Sequence, residues 1–497
     1  MNRKQVLHNA LSTFAQELLG AALLFFLYRF LFRSIGAEGL GIWSLVLATT
    51  SFLTLANQGF SASIVKYVAK YVARERPEDV SLLVQTALIS IGAALAVACI
   101  ALYPCARWIL KAVVPNASLA DSYAILPFAL LSLWINVTSG IHLAALSGHE
   151  LITHRNYLLV GGSLFYLLLG YLLVPRYGLL GLAYAQTVEA AASFLATWIL
   201  LRRQMPHFPL IPRRWSRPLF HEMLGDGLNF QLITVCQAVR EPVTKALLTK
   251  FGGLAMTGYY DLASRWVVNF RELIVQANEV LVPTISSVQE RDPNSIPKIY
   301  RESYRLIFFL AIPAFAFLVF VSPLVSRIWL GAYEPIFVRF VALLALGWLV
   351  NVLSNPAYVV DLGTGALRWV TIGCASTSSL TLVLGVILGK HFGGTAVVAA
   401  SVSSLAFGYV VVVVSHHFEN GIPFGVLLPK ESVGIALSGL AGALVFLPFF
   451  CSAPASSLHS LRVTAGLLVA LLTIMIPMWI HPLRKRLVNW VLSSLPA

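Results

Sequence analysis

Residues 33–43 read RSIGAEGLGIW, and residues 250–260 read KFGGLAMTGYY. A shift of 217 residues, the separation of Arg33 from Lys250, aligns the two stretches. The aligned pairs are Arg33 with Lys250, Gly36 with Gly253, Gly41 with Gly258, and Trp43 with Tyr260. Each stretch lies between two long apolar runs, so each is interpreted as a short turn between helices. The shared pattern indicates that the chain contains an internal repeat.

A second pair of stretches repeats in the same way further along the chain. Residues 176–185 read RYGLLGLAYA, and residues 391–400 read HFGGTAVVAA. A shift of 215 residues aligns Tyr177 with Phe392 and Gly178 with Gly393. Because the two shifts are nearly equal, they predict two homologous halves of six helices each.

Composition places these helices in a membrane. The chain has 497 residues, of which 58% are hydrophobic and 11% charged, and its mean hydropathy is +0.80. A helix needs about 20 apolar residues to cross a bilayer. The predicted spans are 9–32, 39–58, 79–103, 121–146, 157–174, 178–201, 222–250, 254–284, 306–325, 335–358, 369–389, 393–415, 432–450 and 461–481. The sequence therefore predicts an all-α polytopic membrane protein with about 14 transmembrane helices.

The repeat also predicts the domain organisation. Six crossings return the chain to its starting side, so the two halves run parallel and are related by an axis along the membrane normal. We expect a six-helix bundle at 1–201, a basic cytoplasmic linker at 202–221, and a second six-helix bundle at 222–417. Residues 418–497 then hold two extra transmembrane helices and a basic cytoplasmic tail. Parallel bundles that rock about a site between them are typical of transporters.

The distribution of lysine and arginine predicts the orientation. With the N-terminus inside, cytoplasmic segments hold about 21 of the 35 basic residues and outer segments about eight. Both termini are then cytoplasmic. The net charge of +14 follows from this asymmetry and from attraction to anionic lipids, so it does not indicate nucleic-acid binding. Of the five cysteines, Cys105 and Cys451 fall near the outer face, and neither a disulfide between them nor a metal site is favoured.

A run of charges in the seventh helix marks the candidate site. Residues 237–251 read QAVREPVTKALLTKF, and Arg240 lies about eighteen residues into the span, near mid-bilayer at ~1.5 Å per residue. A charge there costs at least ~2.5 kcal/mol, so it should face protein or water. Pro242 frees a backbone carbonyl beside this arginine. With the next helix, the candidate cavity-lining cations are Arg240, Lys245, Arg265 and Arg271.

The alternative is that these cations form structural ion pairs. Residues four apart share a helix face, which pairs Glu241 with Lys245 and Asp261 with Arg265. Arg240 and Arg271 have only an adjacent glutamate, and adjacent side chains in a helix point about 100° apart, so their neutralisation is less natural. The sequence leaves both interpretations open.

Intramembrane carboxylates are candidates for a coupling-cation site or proton relay. These candidates are Glu17, Glu189 and Asp226, joined by Glu241 and Asp261 from the charged run. His416 and His417, at the end of the twelfth span, are interpreted as interfacial and solvated. We expect no resident cofactor, although an H⁺ or Na⁺ gradient could drive the protein. No phosphate loop, catalytic triad or metal-ligand spacing occurs, so an enzyme is not expected.

Two longer stretches carry a family resemblance. They are IGAEGLGIWSLVLATTSFLTLANQGFSASIVKYVAKY at 35–71 and FGGLAMTGYYDLASRWVVNFRELIVQANEVLVPTIS at 251–286. They resemble the paired signatures of Wzx-type flippases for lipid-linked oligosaccharides. These flippases belong to the multidrug/oligosaccharidyl-lipid/polysaccharide (MOP) exporter superfamily. The similarity extends over the whole chain in span number, half-repeat and short loops.

The resemblance implies a V-shaped pair of six-helix bundles in the bacterial inner membrane. Its substrate would be an undecaprenyl-pyrophosphate-linked oligosaccharide for O-antigen, capsule or exopolysaccharide, moved to the outer leaflet by alternating access. Basic residues on cavity-facing helices would meet the pyrophosphate, a role that falls here on Arg240, Lys245, Arg265 and Arg271. Membrane lipids and the glycan polymerase machinery are further expected partners. One departure is Thr244-Lys245, where relatives commonly have Asp-Lys, so a role for that carboxylate is in doubt here.

Three alternatives remain. A multidrug or cation antiporter of the same superfamily would need an acidic cavity, whereas arginine presents a planar fork of donors suited to phosphate. A peptidoglycan lipid-precursor flippase shares the two extra C-terminal helices. A membrane glycan polymerase or ligase usually needs a long outer loop, which the predicted topology lacks.

Overall fold

A computed structural model describes the chain over residues 3–205, 208–279 and 292–439, and at isolated positions between 285 and 484. Over these ranges the backbone is helical apart from short connections and contains no strand. The predicted spans 432–450 and 461–481 lie partly outside the described residues, and Cys451 lies outside them. The chain divides into two compact units, residues 1–258 and 259–497.

Six long helices lie entirely within the first unit. They are α1 (Arg3–Thr50), α2 (Leu55–Ala73), α3 (Pro77–Val113), α4 (Asn116–Gly148), α5 (Ile152–Gln204) and α6 (Arg217–Gly252). The second unit begins inside α7 (Leu254–Glu279). It continues with α8 (Ile296–Leu330), α9 (Pro335–Thr364), α10 (Leu367–Phe392) and α11 (Gly394–Glu419). The predicted domain boundaries at 201, 221 and 417 stay a prediction.

The four aligned glycines share one backbone conformation. Gly36 and Gly178 interrupt α1 and α5 with φ of 68° and 56°, so each of these long elements is two helices joined at a sharp turn. Gly253 and Gly393 lie between consecutive helices with φ of 85° and 76°. Side chains disfavour positive φ, so glycine is required at all four turns. The repeat in the sequence therefore corresponds to a repeated turn geometry.

Two further aligned glycines bring helices into close contact within residues 1–258. A Cβ on Gly41 would meet the backbone of Leu254, and a Cβ on Gly258 would meet the backbone of Ala37. The contacts are reciprocal under the repeat, because Leu254 and Ala37 are also 217 residues apart. Only glycine allows backbones to approach this closely.

Most of the described helices are long and apolar enough for a membrane, but α2, α6 and α7 are not among those that meet the criteria. Among the described residues, eight helices meet the criteria of length and hydropathy for a span, including the doubled elements α1 and α5. The all-α polytopic fold class is confirmed, and the chain is a multi-pass membrane protein. The second predicted span differs in detail, since its helix after Gly36 passes through a 3₁₀ turn at Ser51–Thr54 into α2.

The segment between α5 and α6 is held against α3 by specific hydrogen bonds. The buried Gln85 side chain of α3 accepts hydrogen bonds from the backbone N–H groups of Arg213 and Arg214, at 3.0 and 3.2 Å. Thr86 accepts one from the Ser216 N–H at 3.2 Å. Phe208 is 2% exposed in the core formed by the ends of α2 to α5. The beginning of α6 is thereby fixed against α3.

Candidate functional site

The charged run of α6 forms a compact ionic cluster in the first unit. Arg240 and Lys245 are each 7% exposed. Arg240 Nη2 lies 3.7 Å from Glu241 Oε2, and Lys245 Nζ lies 3.4 Å from Glu241 Oε1. The i,i+4 pair follows from helix geometry. The adjacent pair Arg240–Glu241 also forms, because long side chains can bend back towards each other within a protein interior.

Thr244 is the residue at which the resemblance implies a carboxylate. Its hydroxyl donates to the backbone carbonyl of Arg240 at 2.8 Å, and the side chain is fully buried. Pro242 lies within the same continuous helix. A hydroxyl that bonds to the preceding turn carries no charge, so the carboxylate of this cluster is supplied by Glu241 instead.

The cations of α7 lie in the second unit. Arg265 Nε donates to Asp261 Oδ2 at 2.9 Å, which is the i,i+4 pair expected from the spacing. The Asp261 side chain is 4% exposed, whereas that of Arg265 is 34% exposed. The carboxylate therefore anchors the arginine from the interior, and part of the arginine side chain remains accessible.

Arg271 has a richer set of partners. Its Nε donates to the buried Asn351 Oδ1 at 2.7 Å, and its Nη1 lies 2.6 Å from Glu272 Oε1. The guanidinium also lies 5.0 Å from the ring centroid of Trp348, a cation–π distance. Trp348 and Asn351 were not among the predicted site residues. An asparagine in the middle of the apolar run 335–358 is the signal that could have indicated them.

The other candidate carboxylates are Glu17, Glu189 and Asp226. Glu17 of α1 interacts electrostatically with Arg155 of α5. Glu189 of α5 is half-buried and makes no hydrogen bond or ion pair with any described residue, and its Oε1 lies over Gly162, where a Cβ would stand 2.8 Å away. Asp226 lies on α6, but its side chain is outside the described residues.

A cavity of about 360 Å³, lined by both apolar and polar side chains, lies in the first unit. Its lining contains Leu47, Thr50, Ser51, Ala129, Leu133, Asn136, Val137 and Gln186. The buried Gln186 Oε1 has no hydrogen-bond partner among the described residues. A buried acceptor without a partner is costly unless water or a ligand supplies a donor, so the Gln186 side of this cavity is suited to a water molecule or another donor group.

These observations define a class of protein. The chain is a multi-pass helical membrane protein with ion pairs of basic and acidic side chains along α6 and α7, and its fold is shared with transporters of the MOP superfamily. A structure described as "Lipid II flippase MurJ, inward closed conformation" superposes with a TM-score of 0.72 at 14% identity, over 95% of this chain and 98% of that chain. An inward-facing multidrug resistance MATE transporter of the MOP superfamily gives 0.69 at 14% identity, over 84% and 96%.

A MOP superfamily transporter from Pyrococcus furiosus Vc1, described as having a binding pocket of reverse polarity, gives a TM-score of 0.59 at 13% identity, over 83% of this chain and 95% of that chain. Residues 4–289 match the family described as "Polysaccharide biosynthesis protein", and the chain belongs to this family. The resemblance found in the sequence is thereby confirmed. No curated protein matches the chain significantly. The proteins that share its fold here are transporters and flippases, not enzymes.

Proposed function

We propose that the protein moves undecaprenyl-pyrophosphate-linked oligosaccharides from the cytoplasmic to the outer leaflet of the bacterial inner membrane by alternating access. Membership of the polysaccharide biosynthesis family supports a glycan substrate. The observation that carries the proposal is the placement of arginine and lysine beside carboxylates within α6 and α7. A lipophilic-cation exporter would instead need a predominantly acidic binding region.

Each basic cluster contains the parts of an exchangeable anion site. The carboxylates of Glu241 and Asp261 hold the cations in place when no substrate is bound. A pyrophosphate carries several negative charges and more acceptor oxygens than one carboxylate, so it can displace these contacts. Binding shifts the protein between conformations only if the anion is held more tightly in one of them.

Arg265 is the most informative residue for a test. Its side chain is 34% exposed, so a phosphate can reach it without opening a core. The guanidinium offers two parallel donors to phosphate oxygens, whereas lysine keeps the charge but loses the fork. We therefore expect Arg265→Ala to abolish export and Arg265→Lys to retain part of it.

The experiment uses a strain that lacks its own polysaccharide flippase. Each variant is expressed, its amount in the membrane is measured, and surface polysaccharide is quantified. Arg176→Ala is the matched control, because Arg176 is an exposed arginine near the turn at Gly178 and makes no ion pair with any described residue. Full complementation by both Arg240→Ala and Arg265→Ala would show that these ion pairs are structural and would refute the phosphate-site proposal.

A peptidoglycan lipid precursor is the second candidate substrate. It is favoured by one observation, the superposition of a lipid II flippase over 95% of this chain. The same pyrophosphate chemistry applies, so the two substrates differ only in the glycan. Rescue of cells depleted of their lipid II flippase would support the precursor, and rescue of surface polysaccharide alone would support the longer oligosaccharides.

The predicted orientation places both termini and residues 202–221 in the cytoplasm. Coupling to an H⁺ or Na⁺ gradient and contact with the glycan polymerase machinery belong to the same proposal. A cysteine introduced at the exposed Arg214 tests the orientation. We expect a membrane-impermeant maleimide to label it in inverted vesicles and not in intact cells, and the reverse labelling would contradict the topology.

A further inference from the structure

Three helix ends of the second unit meet in a buried polar cluster. The beginning of α8 contributes Tyr300, the end of α9 contributes Asp361, and the end of α11 contributes His416 and His417. Each of the four residues is at most 6% exposed. The interpretation of the two histidines as solvated was therefore wrong, because α8 and α9 cover the face of α11 that carries them.

His417 has a fixed role in this cluster. Its Nδ1 lies 3.1 Å from the backbone carbonyl of Ile422, which can only accept a hydrogen bond, so Nδ1 carries the proton. Its Nε2 lies 2.8 Å from the Tyr300 hydroxyl, which can then donate to it. Both ring nitrogens of a neutral imidazole are thereby satisfied, and Phe424 stacks on the ring at 5.2 Å.

His416 is held differently. Its Nδ1 lies 2.7 Å from Asp361 Oδ1, so one proton lies between these two atoms. Its Nε2 makes no hydrogen bond within the described part of the chain. The ring faces Tyr300 with a centroid distance of 5.0 Å. The pair therefore retains one nitrogen that can accept a further proton.

Within the part of the chain that the structure describes, the groups facing the pair supply no other compensating cation. From α8 the facing titratable side chains are Tyr300 and Tyr304, from α11 they are His417 and Glu419, and from α9 there is Asp361 itself. Trp369 of α10 donates to Glu419 Oε1 at 2.6 Å. Among the described residues, His416 is the one group whose positive charge acts on Asp361. The charge of this buried carboxylate therefore depends on His416 for compensation.

We propose that the Asp361–His416 pair is a proton-binding site that joins the ends of α9 and α11. A proton from water adds to Nε2 of His416, and the net charge of the pair changes from −1 to zero. A buried pair without net charge is tolerated in a dry interior, whereas an uncompensated buried carboxylate is costly and favours hydration. Proton binding thus favours contact between the helix ends, and proton release favours their separation.

The predicted topology places these helix ends on the cytoplasmic side, so the proton exchanges with the cytoplasm. As a coupling site for transport, this assignment rests on the proposed flippase function. It differs from the carboxylates suggested by the sequence, because Asp361 combines burial with a titratable partner in direct contact. The ligand of the site is H⁺, since the oxygen and nitrogen at 2.7 Å leave no space for Na⁺ between them.

The first test measures proton uptake by the full-length protein in detergent, by titration between about pH 8 and 5. We expect Asp361→Asn to take up about one proton fewer per molecule than the wild type, although no histidine has been removed. The missing proton is the one that adds to His416 in the wild type, and it is counted apart from any proton that the Asp361 carboxyl group takes up. Glu419→Gln is the matched control, because it removes a neighbouring carboxylate that bonds to Trp369 rather than to His416. Equal uptake by Asp361→Asn and the wild type would overturn the proposal.

The second test measures hydrogen exchange at the ends of α9 and α11, corrected for the chemical effect of pH. We expect slower exchange at low pH in the wild type and in Glu419→Gln, and no such pH dependence in His416→Gln. Hydrogen exchange that does not depend on pH in the wild type would also overturn the proposed proton site. Neither test uses the glycan, so a failure to restore surface polysaccharide would refute the flippase proposal alone.

Discussion

The reciprocal glycine contact gives a quantitative prediction about stability. Replacing Gly41 by alanine would put a methyl group 2.8 Å from the carbonyl carbon of Leu254, and its carbonyl oxygen would be closer still. In the same way, Gly258→Ala would place a methyl group 3.0 Å from the carbonyl carbon of Ala37. Both obstacles are backbone atoms, which cannot rotate away as a side chain can.

Ordinary contact for a Cβ begins at 3.4 Å, so relieving the contact with the carbonyl carbon alone requires a separation of about 0.6 Å in Gly41→Ala, and the nearer carbonyl oxygen requires more. Overpacking of this kind costs about 1–3 kcal/mol. Replacing glycine by alanine also stabilises a helix by about 1 kcal/mol. The control must therefore be another glycine-to-alanine substitution in a helix. Gly161→Ala is the control, because Gly161 is exposed on α5 and a Cβ there would meet nothing within 4 Å.

We expect Gly161→Ala to be as stable as the wild type or more stable, and both contact variants to be less stable than Gly161→Ala. The measurement is thermal unfolding in detergent, followed by tryptophan fluorescence. Because both substitutions separate the same two segments, the double variant should lose less than the sum of the single losses. Single variants as stable as the control, or strictly additive losses, would refute the close-approach argument.

Three further predictions follow from the hydrogen bonds and turns. Gln85→Leu removes the acceptor of two backbone N–H groups, and each such loss costs about 1–3 kcal/mol. Residues 208–216 should therefore become more susceptible to limited proteolysis, and unchanged cleavage would contradict this prediction. Thr249→Val breaks the 2.8 Å bond to Thr257 and should cost about 0.5–1.5 kcal/mol in thermal unfolding, with no further loss when Thr257 is also replaced by valine. Gly253→Ala, strained at φ of 85°, should be destabilising by about 1 kcal/mol or more, and an unchanged unfolding temperature would disprove the strain.

Much of the fold is determined by local sequence patterns. Apolar runs of spanning length predict membrane helices wherever they occur, because the bilayer requires every span to satisfy its own backbone hydrogen bonds. The aligned glycines predicted turns, and the structure shows positive φ at each of Gly36, Gly178, Gly253 and Gly393. These conclusions depend only on neighbouring residues and on the solvent, so one sequence is sufficient for them.

Some partners of the charged residues could be predicted from local sequence spacing, and others could not. The pairs Glu241–Lys245 and Asp261–Arg265 were predictable, because four residues bring side chains onto one helix face. The adjacent pair Arg271–Glu272 at 2.6 Å was judged less natural, and spacing alone could not reveal it. Its geometry depends on Trp348 and Asn351 from a distant helix, which orient the guanidinium.

The buried cluster around Asp361 was decided entirely by tertiary structure. In the sequence, His416 and His417 lie at a helix end, where polar side chains usually reach water. Tyr300 and Asp361 are separated from them by 55 residues or more. Periodicity identifies which residues share a face of one helix, but not which other helix covers that face. Helix-to-helix packing alone removes these side chains from water, and that removal makes their proton chemistry consequential.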